Sequence, residues 1–98
     1  MIDIVTTDQL EIRFKGRLDA TNADAAMQTV QEATRAPDKD ILLDLGELEY
    51  ISSAGLQVIL QCAKNAQQAG RQIALTNPNP SVREILKLSG FLSVIRER

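Results

Sequence analysis

Residues 41–60 read ILLDLGELEYISSAGLQVIL, and within them the hydrophobic period changes from that of a strand to that of a helix. Ile41-Leu42-Leu43-Asp44-Leu45 is an almost unbroken apolar run, the pattern of an interior parallel strand covered on both faces. From Ser53 onward Leu56, Ile59, Leu60, Ala63 and Ala66 recur at helical spacing, with Val58 and Cys62 beside them. A helix is expected from Ser53 to about Ala69, closed by Gly70 in a left-handed cap. Gly46 to Tyr50 then forms the connecting loop, and Ser52 and Ser53 stand where the chain leaves a sheet and enters a helix.

Upstream, Gln9 to Lys15 alternates polar and apolar residues, which predicts a half-buried strand with Leu10, Ile12 and Phe14 inward and Gly16 at its end. Ile2 to Val5 forms a first strand, followed by a turn at Thr6-Thr7-Asp8. Ala23, Ala26, Met27, Val30 and Ala33 mark a narrow helical stripe. Thr21 or Asn22 is its cap, Asp24 lies in the first turn and Pro37 is its stop. Downstream, Gln72 to Thr76 reads as a strand and Asn77-Pro78-Asn79-Pro80 as a turn. Pro80 opens a third helix on Val82, Ile85 and Leu86, which ends at Ser89-Gly90. Phe91 to Ile95 reads as a short last strand. The Gln67-Gln68 and Arg83-Glu84 pairs read as solvated helix faces. Alternating strands and helices imply right-handed crossovers and an α/β domain.

Composition narrows the chemistry. Ninety-eight residues, 44% hydrophobic and 24% charged, suit one globular domain with its own core. A net charge of −2, dispersed basic residues and only three aromatics (Phe14, Tyr50, Phe91) argue against nucleic-acid binding. No run nears the roughly 18 apolar residues of a membrane span, and MIDIVTTDQL shows no secretory signal. A cytoplasmic location is the expectation. There is no histidine, a single cysteine and no glycine-rich phosphate loop. A Ser-His-Asp triad and a thiolate metal site are thereby excluded, so neither an enzyme nor a cofactor is expected. Cys62 reads as a small core hydrophobe.

A serine ahead of a helix is ordinarily a cap. Two in succession, followed by Ala54-Gly55, make a small uncluttered surface at the carboxyl end of an interior strand, where recognition sites of open α/β sheets lie. The stretch ILLDLGELEYISSAGLQVIL resembles the signature of the STAS domains, the bacterial anti-sigma factor antagonists and their relatives. There a strand ending in D-L-x-x-L leads through aromatic-I/M-D/S-S-x-G-L into a helix. GRLDATNA is similar to the family's G-x-L-D-x-x-x-A helix entry, met by Gly16, Leu18, Asp19 and Ala23. LKLSGFLSVI resembles its L-x-x-S/T-G-L-x-x-I/V ending, with Phe91 where leucine is usual. The resemblance spans essentially the whole chain. It implies a single STAS-like domain over residues 1–98, with a mixed, mostly parallel sheet of about five strands and three or more helices packed against it.

The resemblance also implies a phosphoacceptor two positions before Gly55, which is Ser53. The preceding residue is often aspartate but here is Ser52, so a carboxylate is missing beside the acceptor and a second hydroxyl stands as the alternative. A partner-binding face of Asp19, Thr21, Asn22, Ser52, Ala54 and Gly55 is expected, because the start of the first helix should flank the serine loop. Thr21 and Asn22 have simple capping as their other reading, and Asp19 has turn formation. Gly55 serves either close approach by a partner or tight packing on the sheet, and Leu56 reads as core. The family implies partner switching. The unmodified domain binds an anti-sigma factor with serine kinase activity and frees the sigma factor, phosphorylation breaks the complex, and a metal-dependent serine phosphatase restores it. No nucleic-acid or membrane partner is implied, and the domain is expected to be a monomer. The alternative is a non-switching STAS adaptor or scaffold subunit in a signalling or lipid-transport complex.

Overall fold

In the computed structural model, which describes residues 2–6, 8–35, 39–93 and 95–98, the chain runs in this order. Strand β1 is Ile2–Thr6, β2 Leu10–Leu18, helix α1 Ala23–Arg35, β3 Ile41–Ile51, α2 Ser53–Gln68, β4 Ile73–Thr76, α3 Pro80–Leu88 and β5 Arg96–Glu97. One five-stranded sheet has the order β1-β2-β3-β4-β5, with β1 antiparallel to β2 and every other pair parallel. All three crossovers step the same way across the sheet, so right-handed connections place α1, α2 and α3 on the same face. The core follows from that. Ile12 and Phe14 of β2, Leu43 and Leu45 of β3 and Leu75 of β4 face Val30 of α1, Val58 and Ile59 of α2 and Leu86 of α3 in one buried cluster.

The other sheet face is polar: Lys15 reaches Asp3 at 2.7 Å, and Arg13 lies 3.6 Å from Asp44. β3 is therefore covered on one face only, contrary to the expectation from its apolar run. Leu42 lies outward, half-buried. Partly exposed ion pairs of this kind contribute little stability; their effect is to keep that face wet.

Two strands run further than their sequence pattern indicates. β2 passes through Gly16, whose φ of +74° is open to glycine, and shifts register on both sides of it before reaching Leu18. β3 does not stop at Leu45. Gly46 to Tyr50 belongs to the strand, and Leu48 and Ile51 are buried. The inward spacing Leu45, Leu48, Ile51 is three rather than two, which is why alternation does not reveal it.

At the carboxyl end the expected strand over Phe91 to Ile95 is replaced by a 3₁₀ turn, Phe91–Ser93, with β5 only beyond it. Phe91 and Ile95 are four apart and both buried, and the Ile95 N–H donates to the Phe91 carbonyl at 2.8 Å, so a helical turn sends both inward. Asn79 caps α3, accepting from the Val82 N–H at 2.8 Å while donating to the Leu48 carbonyl at 2.9 Å. Gly70, with φ +69°, follows α2 as expected. The α1 stripe is as read, with Ala26 and Val30 buried and Ala23, Met27 and Ala33 half-buried. Both solvated pairs, Gln67-Gln68 and Arg83-Glu84, are exposed. The expected turn at Thr7 and the helix stop at Pro37 lie outside the described residues.

Leu43 sits at the centre of this cluster with no exposure, whereas Leu88 at the end of α3 is 77% exposed. Leu43→Ala should cost about 2–5 kcal/mol in urea denaturation, and Leu88→Ala less than about 0.5 kcal/mol.

Candidate functional site

The carboxyl ends of β2 and β3 build the site. Leu18 pairs with Ile51 at their last register position, and the Ser52 N–H donates to the Leu18 carbonyl at 2.9 Å. The loop that begins at Asp19 and the mouth of α2 at Ser52 therefore leave the sheet from neighbouring strand ends.

The two serines have different surroundings. Ser52 is the N-cap of α2, extended at φ −97° and ψ 179°; its hydroxyl accepts from the Gly55 N–H at 3.3 Å, and its carbonyl accepts from the Leu56 N–H. Ser53 is the first helical residue and is exposed; among the described residues its hydroxyl has no hydrogen-bond partner. The first N–H groups of a helix have no carbonyl partner and carry the positive end of its dipole. No acidic residue in the first turn of α2 offsets that charge.

Gly55 is buried. A Cβ built there would lie 2.5 Å from the Leu18 carbonyl oxygen and 2.8 Å from Ile51 Cγ1. Of its two readings the structure selects close packing on the sheet. Gly55 packs on the sheet beneath the first turn of α2. Ala54 and Leu56 are half-buried, Leu56 packing at the margin of the core. Inward of them Val58, Ile59, Cys62, Ala63 and Ala66 are buried, and the wholly enclosed Cys62 thiol is pushed up to about 12, a value at which it stays protonated and inert.

The loop after β2 is tied by its own side chains. Asp19 Oδ1 accepts from both the N–H and the hydroxyl of Thr21, at 3.0 and 2.5 Å. The Asp19 N–H donates to Asn22 Oδ1 at 2.9 Å, and Asn22 Nδ2 donates to the Arg17 carbonyl at 2.7 Å. Asn22 does sit at the cap position, its carbonyl accepting the Ala26 N–H. Its side chain, however, reaches back to the strand instead of forward to the helix. Thr21 is likewise bonded to Asp19, so side-chain capping describes neither residue. Asp19 forms a turn of the Asx type. The Thr21 hydroxyl, then the Thr21 N–H and more weakly Arg17, hold its carboxyl below the ordinary value. With the folded value depressed, the bonded loop is favoured above the ordinary carboxylate range, and that preference is lost as pH falls through the lowered midpoint.

Two residues of this edge escape sequence reasoning. The Arg17 guanidinium lies 4.4 Å above the Tyr50 ring centroid, and its Nε is 3.5 Å from Asp19 Oδ2. They meet because β2 and β3 continue past Gly16 and Gly46 and place Arg17 opposite Tyr50. The inward spacing of three at the end of β3 hides that continuation from a period-two reading. Among the described residues no cluster of three or more metal-ligating side chains forms, and no helix is long and apolar enough to cross a membrane.

The STAS domain profile matches residues 1–97. BtrV of Bordetella bronchiseptica, assigned as an anti-sigma factor antagonist, is 38% identical over 81 residues, covering 83% of this chain and 70% of that one. The anti-sigma F factor antagonist of Paenibacillus polymyxa is 33% identical over 87 residues, covering 88% and 74%. The unphosphorylated form of the anti-sigma factor antagonist SpoIIAA superposes with a TM-score of 0.82 at 21% identity, over all of this chain and 86% of that one. SpoIIAA, a Bacillus cell fate determinant, also has a phosphorylated form of the same fold (TM-score 0.74, 20% identity, covering 100% and 89%). The chain belongs to the STAS-domain family of anti-sigma factor antagonists.

Ser52→Ala should lower stability by about 1 kcal/mol through loss of the cap, and Ser53→Ala by less than about 0.5 kcal/mol, both in urea denaturation. Gly55→Ala should cost about 1–3 kcal/mol, because its contact is backbone and cannot swing aside. Thr21→Val should move the Asp19 titration, followed by carboxyl NMR, up toward the ordinary range.

Proposed function

We propose that the protein is an anti-sigma factor antagonist that works as a phosphorylation-controlled partner switch. The unmodified face around Ser53 binds an anti-sigma factor with serine kinase activity and so frees a sigma factor. Phosphate on Ser53 ends that complex, and a metal-dependent serine phosphatase regenerates it. The domain is ligand and kinase substrate, with no catalysis of its own.

The observation that carries this reading is the contrast between the serines: Ser52 is engaged as the cap, while Ser53 is exposed on the first turn of α2, its hydroxyl without a hydrogen-bond partner among the described residues. A kinase can reach Ser53 without disturbing the helix. Ser52, the alternative acceptor, would give up its bond to the Gly55 N–H. The relatives named anti-sigma factor antagonists and the phosphorylated form of SpoIIAA support the assignment.

The physical consequence of modification is local. A phosphate adds roughly −1.5 to −2 charges at neutral pH, and at a helix start it meets unpaired N–H groups and a favourable dipole, so the fold is retained. A partner surface matched to a small neutral hydroxyl must then accept a bulky dianion. A loss of about 3 kcal/mol already weakens binding more than a hundredfold.

Ser53→Ala should abolish phosphate incorporation by the anti-sigma factor kinase of the same organism, read by mass spectrometry, while keeping affinity for it. Ser53→Asp should weaken that affinity at least tenfold with an unchanged thermal melt. Phosphate still entering Ser53→Ala would refute the site, and unchanged affinity of Ser53→Asp would favour the non-switching adaptor.

A further inference from the structure

Arg17 and Tyr50 form a stacked pair on an open surface. Tyr50 is 39% exposed, one of few large apolar side chains left open in the described residues. Arg17 lies over its ring at 4.4 Å, and its side chain is 64% exposed. The guanidinium is held twice, by the ring below and by Asp19 Oδ2 at 3.5 Å from Nε. Its terminal Nη donors have no acceptor among the described residues. Asp19 is itself fixed through Thr21 and Asn22, so Tyr50, Arg17, Asp19 and Thr21 form one linked chain at the carboxyl ends of β2 and β3, the end from which α2 departs.

An arginine costs binding energy when its many rotamers must be ordered by a partner. Here stacking and the Asp19 contact restrict them beforehand, and the planar fork remains available for two parallel hydrogen bonds. Tyr and Arg are also, with Trp, the side chains enriched among residues that dominate protein interfaces. We infer that Arg17 and Tyr50 are the anchor of the partner-binding face, and that the partner docks a carboxylate on the Arg17 fork beside an apolar recess that receives the Tyr50 ring. The inference rests on the partner-switch reading and specifies the partner's chemistry at that surface.

It also adds a cause for the switch. A partner drawn to Arg17 by a carboxylate brings negative charge to the edge where phosphate would appear on Ser53. The phosphate then opposes the docking group by like-charge repulsion as well as by bulk. Arg17 thus sets both the attraction in the unmodified state and the sensitivity to modification.

The test is calorimetric titration of wild-type, Arg17→Met, Arg17→Glu, Tyr50→Ala and Tyr50→Phe protein with the purified anti-sigma factor kinase of the same organism. Thermal melts of each variant serve as the folding control. Arg17→Met and Tyr50→Ala should each weaken binding at least tenfold, Arg17→Glu more than Arg17→Met, and Tyr50→Phe less than threefold because the stacked ring is kept. Between low and moderate sodium chloride the wild-type affinity should fall, and Arg17→Met should flatten that dependence, which a merely structural role would not do. Combined with Ser53→Asp, Arg17→Met should reduce the penalty of the phosphomimetic. If Arg17→Met and Tyr50→Ala bind within threefold of wild type while Ser53→Asp still weakens binding, the anchor is wrong and the partner switch stands. If unmodified wild-type protein does not bind the kinase, both fall.

Discussion

The first turn of α2 lies directly on the end of β2, and the arrangement of the site depends on that contact. Only a hydrogen at position 55 leaves room for the Leu18 carbonyl oxygen, which a Cβ would approach to 2.5 Å. The same carbonyl accepts the Ser52 N–H, so one backbone oxygen of β2 fixes where the helix begins. From there the rest is geometry. Ser52 turns back to cap the helix, Ser53 turns outward, and the loop of Asp19, Thr21 and Asn22 is held alongside by the pairing of Leu18 with Ile51. A larger residue at position 55 would shift the helix mouth relative to the loop and part the two halves of the face.

Behind this edge the packing is tight and rigid. Cys62, Ala63 and Ala66 bring α2 close to the sheet with small side chains, and the enclosed thiol has no chemistry at neutral pH. A tightly packed core resists gradual deformation. That suits the proposed switch, in which charge changes at one surface hydroxyl and the domain beneath it stays as it is. In the inferred anchor, the exposed donors of Arg17, stacked on Tyr50, would place positive charge at that end of the sheet.

Much of this domain is written in local pattern. Alternation in β2, the helical stripes of α1 and α2, Gly70 after α2 and Pro80 at the start of α3 are each set by neighbours within a few residues, so period and capping chemistry disclose them. The pair Ser52-Ser53 is legible for the same reason, since a helix start is a local event. The departures fall where long-range contact decides. Leu48 and Ile51 extend β3 because β2 lies beside them with its register shifted at Gly16, and no period in residues 46–51 records that. Phe91 and Ile95 form a helical turn because the core receives both.

The sequence by itself determined the order of elements, the apolar faces and the position of a serine at a helix mouth, because these follow from backbone preference and hydrophobic period. Tertiary structure alone decided which serine is engaged, why position 55 must be glycine, and that Arg17 meets Tyr50. The last two depend on atoms of another strand, supplied only when distant segments pair, and the first on the Leu18 carbonyl that fixes where α2 begins.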